Sequence, residues 1–340
     1  MHENSTDPTD APGTADAPGT TDVQGRAATA AAGRGRPPRS AANTGLIFAV
    51  SAYGMWGILP LYFLFLAPTG AFEIVAWRVL FSLVFCGVLI ASTRAWRPLV
   101  AALRSPRIVW TMGLAGVLIY INWQTFILGT LSGHVVETAL GYFINPIITV
   151  LLGVFVLHER LRGAQWVAVL ISFIAVIVLS VGYGTVPWIS LILAFSFGLY
   201  GLIKKRVGGH LDALTGLTLE TMWLTPIAII QLVVVSLISG LTFGTVSPVH
   251  TIALIGSGVL TAIPLLFFAA ASRRLPLTTL GLVQYLAPVL QFLAGVVILH
   301  EPMPPERWLG FGLVWLALIV LTVDMIAAGR AQRRPAIDPF

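Results

Sequence analysis

Ten long apolar segments, separated by short polar connections, dominate the chain and leave few folds open to it. A helix needs about 20 apolar residues to cross a bilayer, and most segments reach that length, although the fifth and sixth are shorter. Only 10% of the residues are charged, whereas a soluble domain carries about 25%. The sequence therefore excludes a water-soluble enzyme and predicts an all-α polytopic membrane protein. The predicted spans are Leu46–Leu66, Phe72–Ser92, Ile108–Thr130, Val135–Leu157, Gln165–Val181, Trp188–Ile203, Leu214–Ile238, Thr251–Ala271, Leu277–Leu299 and Trp308–Met325.

Basic residues alternate regularly along this map of spans. Eighteen of the twenty Lys and Arg residues fall in the tails or in every second connection, which leaves Arg307 on the other side and Arg78 within a span. Because cytoplasmic connections are enriched in Lys and Arg, we expect both termini in the cytoplasm. The basic clusters are short and juxtamembrane, so no nucleic-acid partner is expected.

The two ends of the chain differ from the membrane part. Residues 1–44 are rich in Thr, Ala, Pro, Gly and Asp and predict a disordered cytoplasmic tail, and residues 327–340 form a second cytoplasmic tail. No early apolar segment resembles a secretory signal, so the first span is expected to act as an uncleaved insertion signal. The single cysteine, Cys86, excludes an internal disulfide and is expected to serve packing.

The chain also resembles itself when it is shifted by 142 residues. Residues 140–179 align without a gap with residues 282–321, and both copies contain the tripeptide Leu-His-Glu. The duplicated unit has five helices, which predicts repeats at residues 45–182 and 183–326. Because five is odd, the second copy enters the membrane from the opposite side, and the halves are inverted. Alternating access requires such halves, and duplication retained for packing alone is the other interpretation.

Arg78 and Glu220 occupy equivalent positions in the second helix of each repeat. An ionisable residue within a span is costly, so it needs a partner, a watery cavity or a place near the interface. One interpretation is a central ion pair between the halves. The other places each residue in its own wet pocket.

Polar and small residues share one face of the fourth span, from His134 to Thr149. Pro146 cannot donate to the carbonyl of Tyr142, which predicts a bend beside a solvated cavity. The ninth span repeats this pattern, and the third contributes an amide and aromatic cluster. For any single amide, a structural hydrogen bond between helices is the competing role. The candidate substrate-binding residues are Arg78, Asn122, Trp123, Glu137, Tyr142, Asn145, Glu220, Gln284, Tyr285 and Gln291.

Three residues are candidates for proton coupling, namely Glu137, Glu220 and His134. His134 and Glu137 begin the fourth span, where a solvated first turn is an equal alternative. The His-Glu pairs at 158–159 and 300–301 lack the spacing that puts two imidazoles on one helical face, and the inversion separates them. They are interpreted as polar helix ends, so neither a metal nor a cofactor is expected.

Four stretches of the sequence resemble the RarD proteins of the EamA-like drug/metabolite transporter superfamily. They are Tyr53–Phe63 (YGMWGILPLYF), His134–Pro146 (HVVETALGYFINP), Phe195–Lys204 (FSFGLYGLIK) and Leu275–Pro288 (LPLTTLGLVQYLAP). Glu159-Arg160 and Glu301-Pro302 are similar to the family's Glu-containing helix ends. The resemblance covers about residues 45–325. It implies a ten-helix inner-membrane permease with two EamA repeats, associated with chloramphenicol sensitivity or resistance, and it implies no physiological substrate.

We therefore expect a secondary transporter (permease) of a small organic solute, drug or metabolite, that works by alternating access and is not an enzyme. The alternative is a membrane-embedded enzyme or receptor that acts on a lipid-linked or small-molecule ligand. The expected partners are a small-molecule substrate and membrane lipid, with a homodimer left open.

Overall fold

The computed structural model describes residues 39–157, 161–207, 211–272, 274–275, 280 and 283–331, and these residues form helices and short connections without strands. A short helix, Trp96–Leu103, lies between the second and third main helices. The main helices are α1 (Arg39–Phe65), α2 (Ala71–Thr93), α3 (Pro106–Leu131), α4 (Val135–Leu157), α5 (Gly163–Tyr183), α6 (Trp188–Val207), α7 (Ala213–Ile238), α8 (Pro248–Ser272), α9 (Leu286–Leu293, continued by a π-helical turn, Ala294–Ile298) and α10 (Pro305–Ala331).

Eight of the described helices are long and apolar enough to cross a membrane, and α6 and α9 contain shorter apolar stretches. Their outward surfaces are apolar as well, with Leu237 and Ile238 about four-fifths exposed. Helices satisfy their backbone hydrogen bonds internally, so such surfaces suit hydrocarbon. The predicted all-α polytopic fold is confirmed, and the ten helices follow the ten predicted spans in order.

Several helix boundaries differ from the prediction, and α10 extends to Ala331, beyond the predicted Met325 and into the predicted carboxyl-terminal tail. The first helix begins at Arg39, before the predicted Leu46, and α5 and α6 are longer than their apolar runs, with 21 and 20 residues. The ninth span is not one continuous helix, because Gln284 and Tyr285 form a turn before α9. Pro288 has no N–H to donate to the carbonyl of Gln284, which removes the bond that would hold this turn as helix. The tail before residue 39 and residues 158–160, including the first His-Glu pair, lie outside the described residues.

The two halves of the chain, α1–α5 and α6–α10, interleave. Every large helix interface in the described structure joins one half to the other. Helix α1 packs on α8 and α9, and its equivalent, α6, packs on α3 and α4. Helix α2 packs on α7 and α8, and its equivalent, α7, packs on α2 and α3. The equivalent helices α4 and α9 pack on each other, as do α5 and α10. This set of interfaces is unchanged when the halves are exchanged, as a pseudo-twofold axis requires.

Equivalent helices of the two halves run antiparallel. The amide of Gln231, near the end of α7, donates to the carbonyl of Phe72 at the start of α2, with a nitrogen–oxygen distance of 2.6 Å. Arg162, before α5, forms an ion pair of 2.6 Å with Asp324, near the end of α10. These contacts agree with the inverted arrangement inferred from the odd number of helices.

Two symmetry-related glycines allow the central helices to approach closely. A Cβ atom on Gly258 of α8 would lie 2.5 Å from the backbone nitrogen of Ser82 in α2. Gly116 of α3, 142 residues earlier, faces the carbonyl of Glu220 in α7, and a Cβ there would lie 3.3 Å away. Any larger residue would push α2 from α8 or α7 from α3, so these glycines set the helix positions around Arg78 and Glu220.

Candidate functional site

Arg78 lies about two turns inside the start of α2 and is only 4% exposed. Its Nε donates to Thr261 Oγ1 of α8 at 2.6 Å. The guanidinium carbon lies 4.4 Å from the centre of the Trp123 ring and 5.5 Å from that of Phe63. Nη1 is buried without a hydrogen-bond partner among the described residues. Helices α1, α2, α3 and α8 thus meet around a buried cation.

The contacts of Arg78 offset the cost of inserting it but leave its Nη1 without a hydrogen-bond partner among the described residues. On insertion scales, placing an arginine at the centre of a membrane helix costs about 3 kcal/mol. A desolvated cation–π contact contributes about 2 kcal/mol, and a hydrogen bond from a charged group contributes about 1.5 to 3 kcal/mol. The unpaired Nη1 carries a further desolvation cost, which an acceptor would remove. The site is therefore chemically incomplete.

Asn122 and Tyr142 connect three helices beside this cation. The hydroxyl of Tyr142 donates to Asn122 Oδ1 at 2.9 Å, and Asn122 Nδ2 lies 3.1 Å from both the Leu193 carbonyl and Ser196 Oγ. Asn122 precedes Trp123, whose ring faces Arg78. The sequence-predicted residues Arg78, Asn122, Trp123 and Tyr142 therefore lie in one cluster, called here the Arg78 cluster.

Glu220 pairs with Lys204 rather than with Arg78. Its Oε1 lies 2.7 Å from Lys204 Nζ, and the Tyr200 hydroxyl lies 3.3 Å from Oε2. Glu220 is 1% exposed, while one-third of the Lys204 side chain is exposed. These three residues form the Glu220 cluster, and the central Arg78–Glu220 ion pair considered from the sequence is wrong.

Inverted symmetry explains why the two charges do not meet. Each lies about 10 Å from the start of its helix, and the helices run antiparallel. Inversion carries a residue at one depth to the same depth measured from the opposite end of the bundle. Equivalent residues can therefore pair only at the middle, and Arg78 and Glu220 lie on either side of it.

A chain of aromatic rings joins the two clusters. Adjacent ring centres are 5.7 to 6.2 Å apart along the series Phe63, Phe126, Tyr142, Phe197 and Tyr200. The first ring faces Arg78, and the hydroxyl of the last faces Glu220. An aromatic wall thus spans the centre of the bundle between a buried cation and a buried carboxylate.

Glu137 and His134 lie away from both clusters. The carboxylate of Glu137 accepts from the backbone N–H of Ile189 at 3.1 Å, and its carbonyl accepts from the Ser190 hydroxyl. Glu137 therefore caps the first turn of α6. His134 Nδ1 lies 3.2 Å from the Ser132 hydroxyl on an exposed turn. These positions favour the solvated-turn interpretation for His134 and a capping role for Glu137.

The remaining candidate binding residues, three amides and a tyrosine, divide into two groups. Asn145 Oδ1 and Gln291 Oε1 are buried without partners among the described residues, although Gln291 Nε2 donates to the Trp56 carbonyl. Asn145 and Gln291 therefore remain candidates for solute binding. Gln284 and Tyr285 occupy the turn before α9, and Tyr285 packs with a second apolar core instead of the Arg78 cluster.

Sequence reasoning missed three contributors, which are Thr261, Lys204 and Tyr200, and it placed Glu301 at a helix end without identifying the helix that Glu301 contacts. The carboxylate of Glu301 accepts from the backbone N–H groups of Val135 and Val136 at 2.5 and 2.9 Å and so caps α4 from across the bundle. Tyr200 and Lys204 are one helical turn apart, a spacing that indicates a shared face. Among the described residues, no group of three or more His, Cys, Asp or Glu side chains could hold a metal ion.

Known proteins resemble this chain along most of its length. The model of the EamA-like transporter family matches residues 43–181 and again residues 186–323. Protein RarD of Streptomyces exfoliatus is 48% identical over 86% of this chain and 92% of that protein. An uncharacterized transporter of Vibrio cholerae is 40% identical over 88% of this chain and 98% of its own. These matches confirm the resemblance found in the sequence.

A protein of known crystal structure has a similar fold. It superposes with a TM-score of 0.52 over 84% of this chain and 98% of its own, at 20% sequence identity. At this identity the likeness shows the fold alone.

Proposed function

This chain belongs to the EamA-like transporter family and is a multi-pass membrane transporter, and we propose that it is a secondary carrier of a small organic solute, a drug or a metabolite. The observation that carries the proposal is a buried, incompletely satisfied polar cluster at the centre of two interleaved, inverted repeats. Carriers of this architecture bind solute near the middle of the bilayer, where the repeats meet.

Alternating access follows from the interleaving. Because the main interfaces join the halves, a change in the packing of one half must change its contacts with the other. Exchanging the conformations of two similar halves converts an inward-facing arrangement into an outward-facing one. The repeats predicted at 45–182 and 183–326 are the units that we propose to move.

We assign different roles to the two clusters. The Arg78 cluster is the proposed solute site, and Asn145 on α4 and Gln291 on α9, each with a buried oxygen that has no partner among the described residues, are proposed to contribute to it. The Glu220 cluster is the proposed coupling site, because its carboxylate has an internal cation that it can release on gaining a proton. Glu137 already caps a helix and is the weaker coupling candidate.

The proposed setting is the cytoplasmic membrane, with both termini in the cytoplasm. The alternation of eighteen basic residues supports this orientation. Membrane lipid and a small-molecule substrate are the proposed partners. A homodimer and the link to chloramphenicol remain predictions.

Counterflow tests the carrier proposal. A thermal-shift screen of the purified chain against metabolites and antibiotics, including chloramphenicol, would identify a stabilising solute. That solute, labelled and presented outside proteoliposomes preloaded with unlabelled solute, should accumulate transiently and remain chemically unchanged. Recovery of a modified product would support the enzyme alternative, and binding without counterflow would support a receptor.

A further inference from the structure

We infer that the transported solute carries an anionic group, a carboxylate or a group of similar shape, that binds Arg78. This inference rests on the proposed carrier function. The guanidinium remains charged at any physiological pH, so it needs a permanent source of compensation. One nitrogen, Nη1, is buried without an acceptor from the described residues.

The described protein groups around Arg78 do not supply that compensation. The two described ion pairs are Arg162–Asp324 and Lys204–Glu220, and neither involves Arg78. Glu73 lies on the same helix, but its carboxylate accepts from the backbone N–H groups of Thr242 and Phe243. It is therefore committed to the connection between α7 and α8.

The nearby hydroxyl groups are committed too. Tyr142 donates to Asn122 at 2.9 Å, and Tyr62 donates to the carbonyl of Ala253. Thr261 accepts from Nε of Arg78 and donates to the Ser257 carbonyl at 2.9 Å. Thr261 fixes the guanidinium in place without neutralising it.

The shape of the site selects the class of ligand. Nε of Arg78 already donates to Thr261, and the rings of Trp123 and Phe63 lie close to the guanidinium carbon. Nη1, which has no acceptor among the described residues, is therefore the group left for a ligand. A guanidinium offers paired N–H groups in a plane, which match the two oxygens of a carboxylate. The rings of Trp123 and Tyr142 supply an apolar surface for the rest of the solute. A small carboxylate with an apolar or aromatic body fits these features.

The competing explanation is that Arg78 only ties α2 to α8 through Thr261. Two variants separate the explanations. Arg78→Gln removes the charge, whereas Thr261→Val removes the tie and leaves the charge and the rings in place. Arg78→Lys keeps the charge without the planar fork, and it serves as the second variant if Arg78→Gln does not fold.

The experiment measures binding to the purified full chain by thermal shift and by calorimetry, with three matched pairs of probes. They are benzoate and benzamide, phenylacetate and phenylacetamide, and indole-3-acetate and indole-3-acetamide. We expect at least one acid to bind the wild type and its amide to bind about 10- to 100-fold more weakly, as the loss of a charge-assisted bond predicts. Arg78→Gln should weaken the acid by a similar factor and leave the amide unchanged, and Arg78→Lys should lie between. Thr261→Val should weaken the acid less than Arg78→Gln does, because it keeps the charge and changes only what positions the guanidinium.

Three results would overturn the inference: no acid binds, an amide binds as tightly as its acid, or Arg78→Gln and Arg78→Lys bind the acid as the wild type does. Its failure differs from failure of the carrier proposal. Counterflow of a neutral solute would support the carrier proposal and contradict the inference that the solute is an anion. If acids bind through Arg78 but show no counterflow, the anion site is supported and the carrier proposal is contradicted.

Discussion

The Arg78 and Glu220 clusters occupy equivalent places in the two repeats, yet one is complete and the other is not. Glu220 has a cation 2.7 Å away and a tyrosine hydroxyl within reach. Arg78 has one threonine, two aromatic rings and a nitrogen that finds no partner in the described part of the chain. Duplication preserved the place of the charges but not their sign or their compensation.

This difference shows that a symmetric backbone can carry two chemically unequal clusters. Both clusters lie beside a close crossing of helices at a glycine, Gly258 near Arg78 and Gly116 near Glu220. The backbone framework is thus shared, while the side chains separate the incompletely compensated Arg78, which we propose binds the solute, from Glu220, which Lys204 compensates. The two regions should therefore respond differently to substitution.

The largest expected effect is at the Glu220–Lys204 pair, and it is unequal. Lys204→Met would leave a carboxylate that is 1% exposed without its cation and should destabilise the protein by about 3 kcal/mol. Glu220→Gln leaves a lysine that can be hydrated, because a third of it is exposed, and should cost about 1 kcal/mol. The apparent Tm in one detergent measures both.

Arg97→Met is the matched control, since it removes an exposed cation and should change stability by less than about 0.5 kcal/mol. Equal destabilisation by Lys204→Met and Glu220→Gln would contradict the assignment of the buried charge to Glu220.

The helix crossings at Gly258 and Gly116 should differ in how well they tolerate substitution of the glycine by alanine. Gly258→Ala places a Cβ against the α2 backbone and should cost about 2 kcal/mol, whereas Gly116→Ala needs only a small shift and should cost less than about 1 kcal/mol. Gly87→Ala, on the same helix as Arg78, meets no atom within 4 Å and should be neutral or slightly stabilising. Thermal unfolding of the three variants side by side checks this order, and a Gly258→Ala protein as stable as Gly87→Ala would refute the tight crossing.

A pair of double-mutant cycles tests the separation of Arg78 from Glu220. Combining Arg78→Gln with Glu220→Gln should be additive in unfolding free energy within about 0.5 kcal/mol, because the two side chains share no contact. Combining Lys204→Met with Glu220→Gln should instead show a coupling of about 1 kcal/mol or more. Strong coupling in the first cycle would restore the central ion pair.

Much of the fold could be predicted from the sequence because the bilayer imposes a length on each helix and the repeat is visible at a fixed offset. The turn at Gln284 and Tyr285 could not, since an apolar run with one proline fits either a continuous or a broken helix. The unpredicted helix Trp96–Leu103 lies among basic residues and buries only Leu99 and Ala102, which gives a weak apolar signal.

The site was predictable in its members more than in its connections. Arg78, Glu220, Asn122 and Tyr142 stand out because polar groups within spans are costly. Their partners depend on depth, which a sequence offset does not supply: the offset aligns Arg78 with Glu220, but inversion sends them to opposite sides of the middle. Lys204 was counted among juxtamembrane charges, and only the crossing of α6 with its neighbours brings it to Glu220.

The smallest predicted effect compares the tyrosines at the two ends of the aromatic series. Tyr142→Phe removes a 2.9 Å hydrogen bond to buried Asn122 and should cost about 1 kcal/mol. Tyr200→Phe removes a longer contact of 3.3 Å to a carboxylate that keeps Lys204, and it should cost about 0.5 kcal/mol. Both changes keep the ring, so the packing against Phe197 is retained and differences in apparent Tm report the hydroxyl groups. If Tyr200→Phe proved the more damaging, the Glu220 cluster would depend on its tyrosine as well as its lysine, and the contrast in compensation between the clusters would be smaller than their geometry indicates.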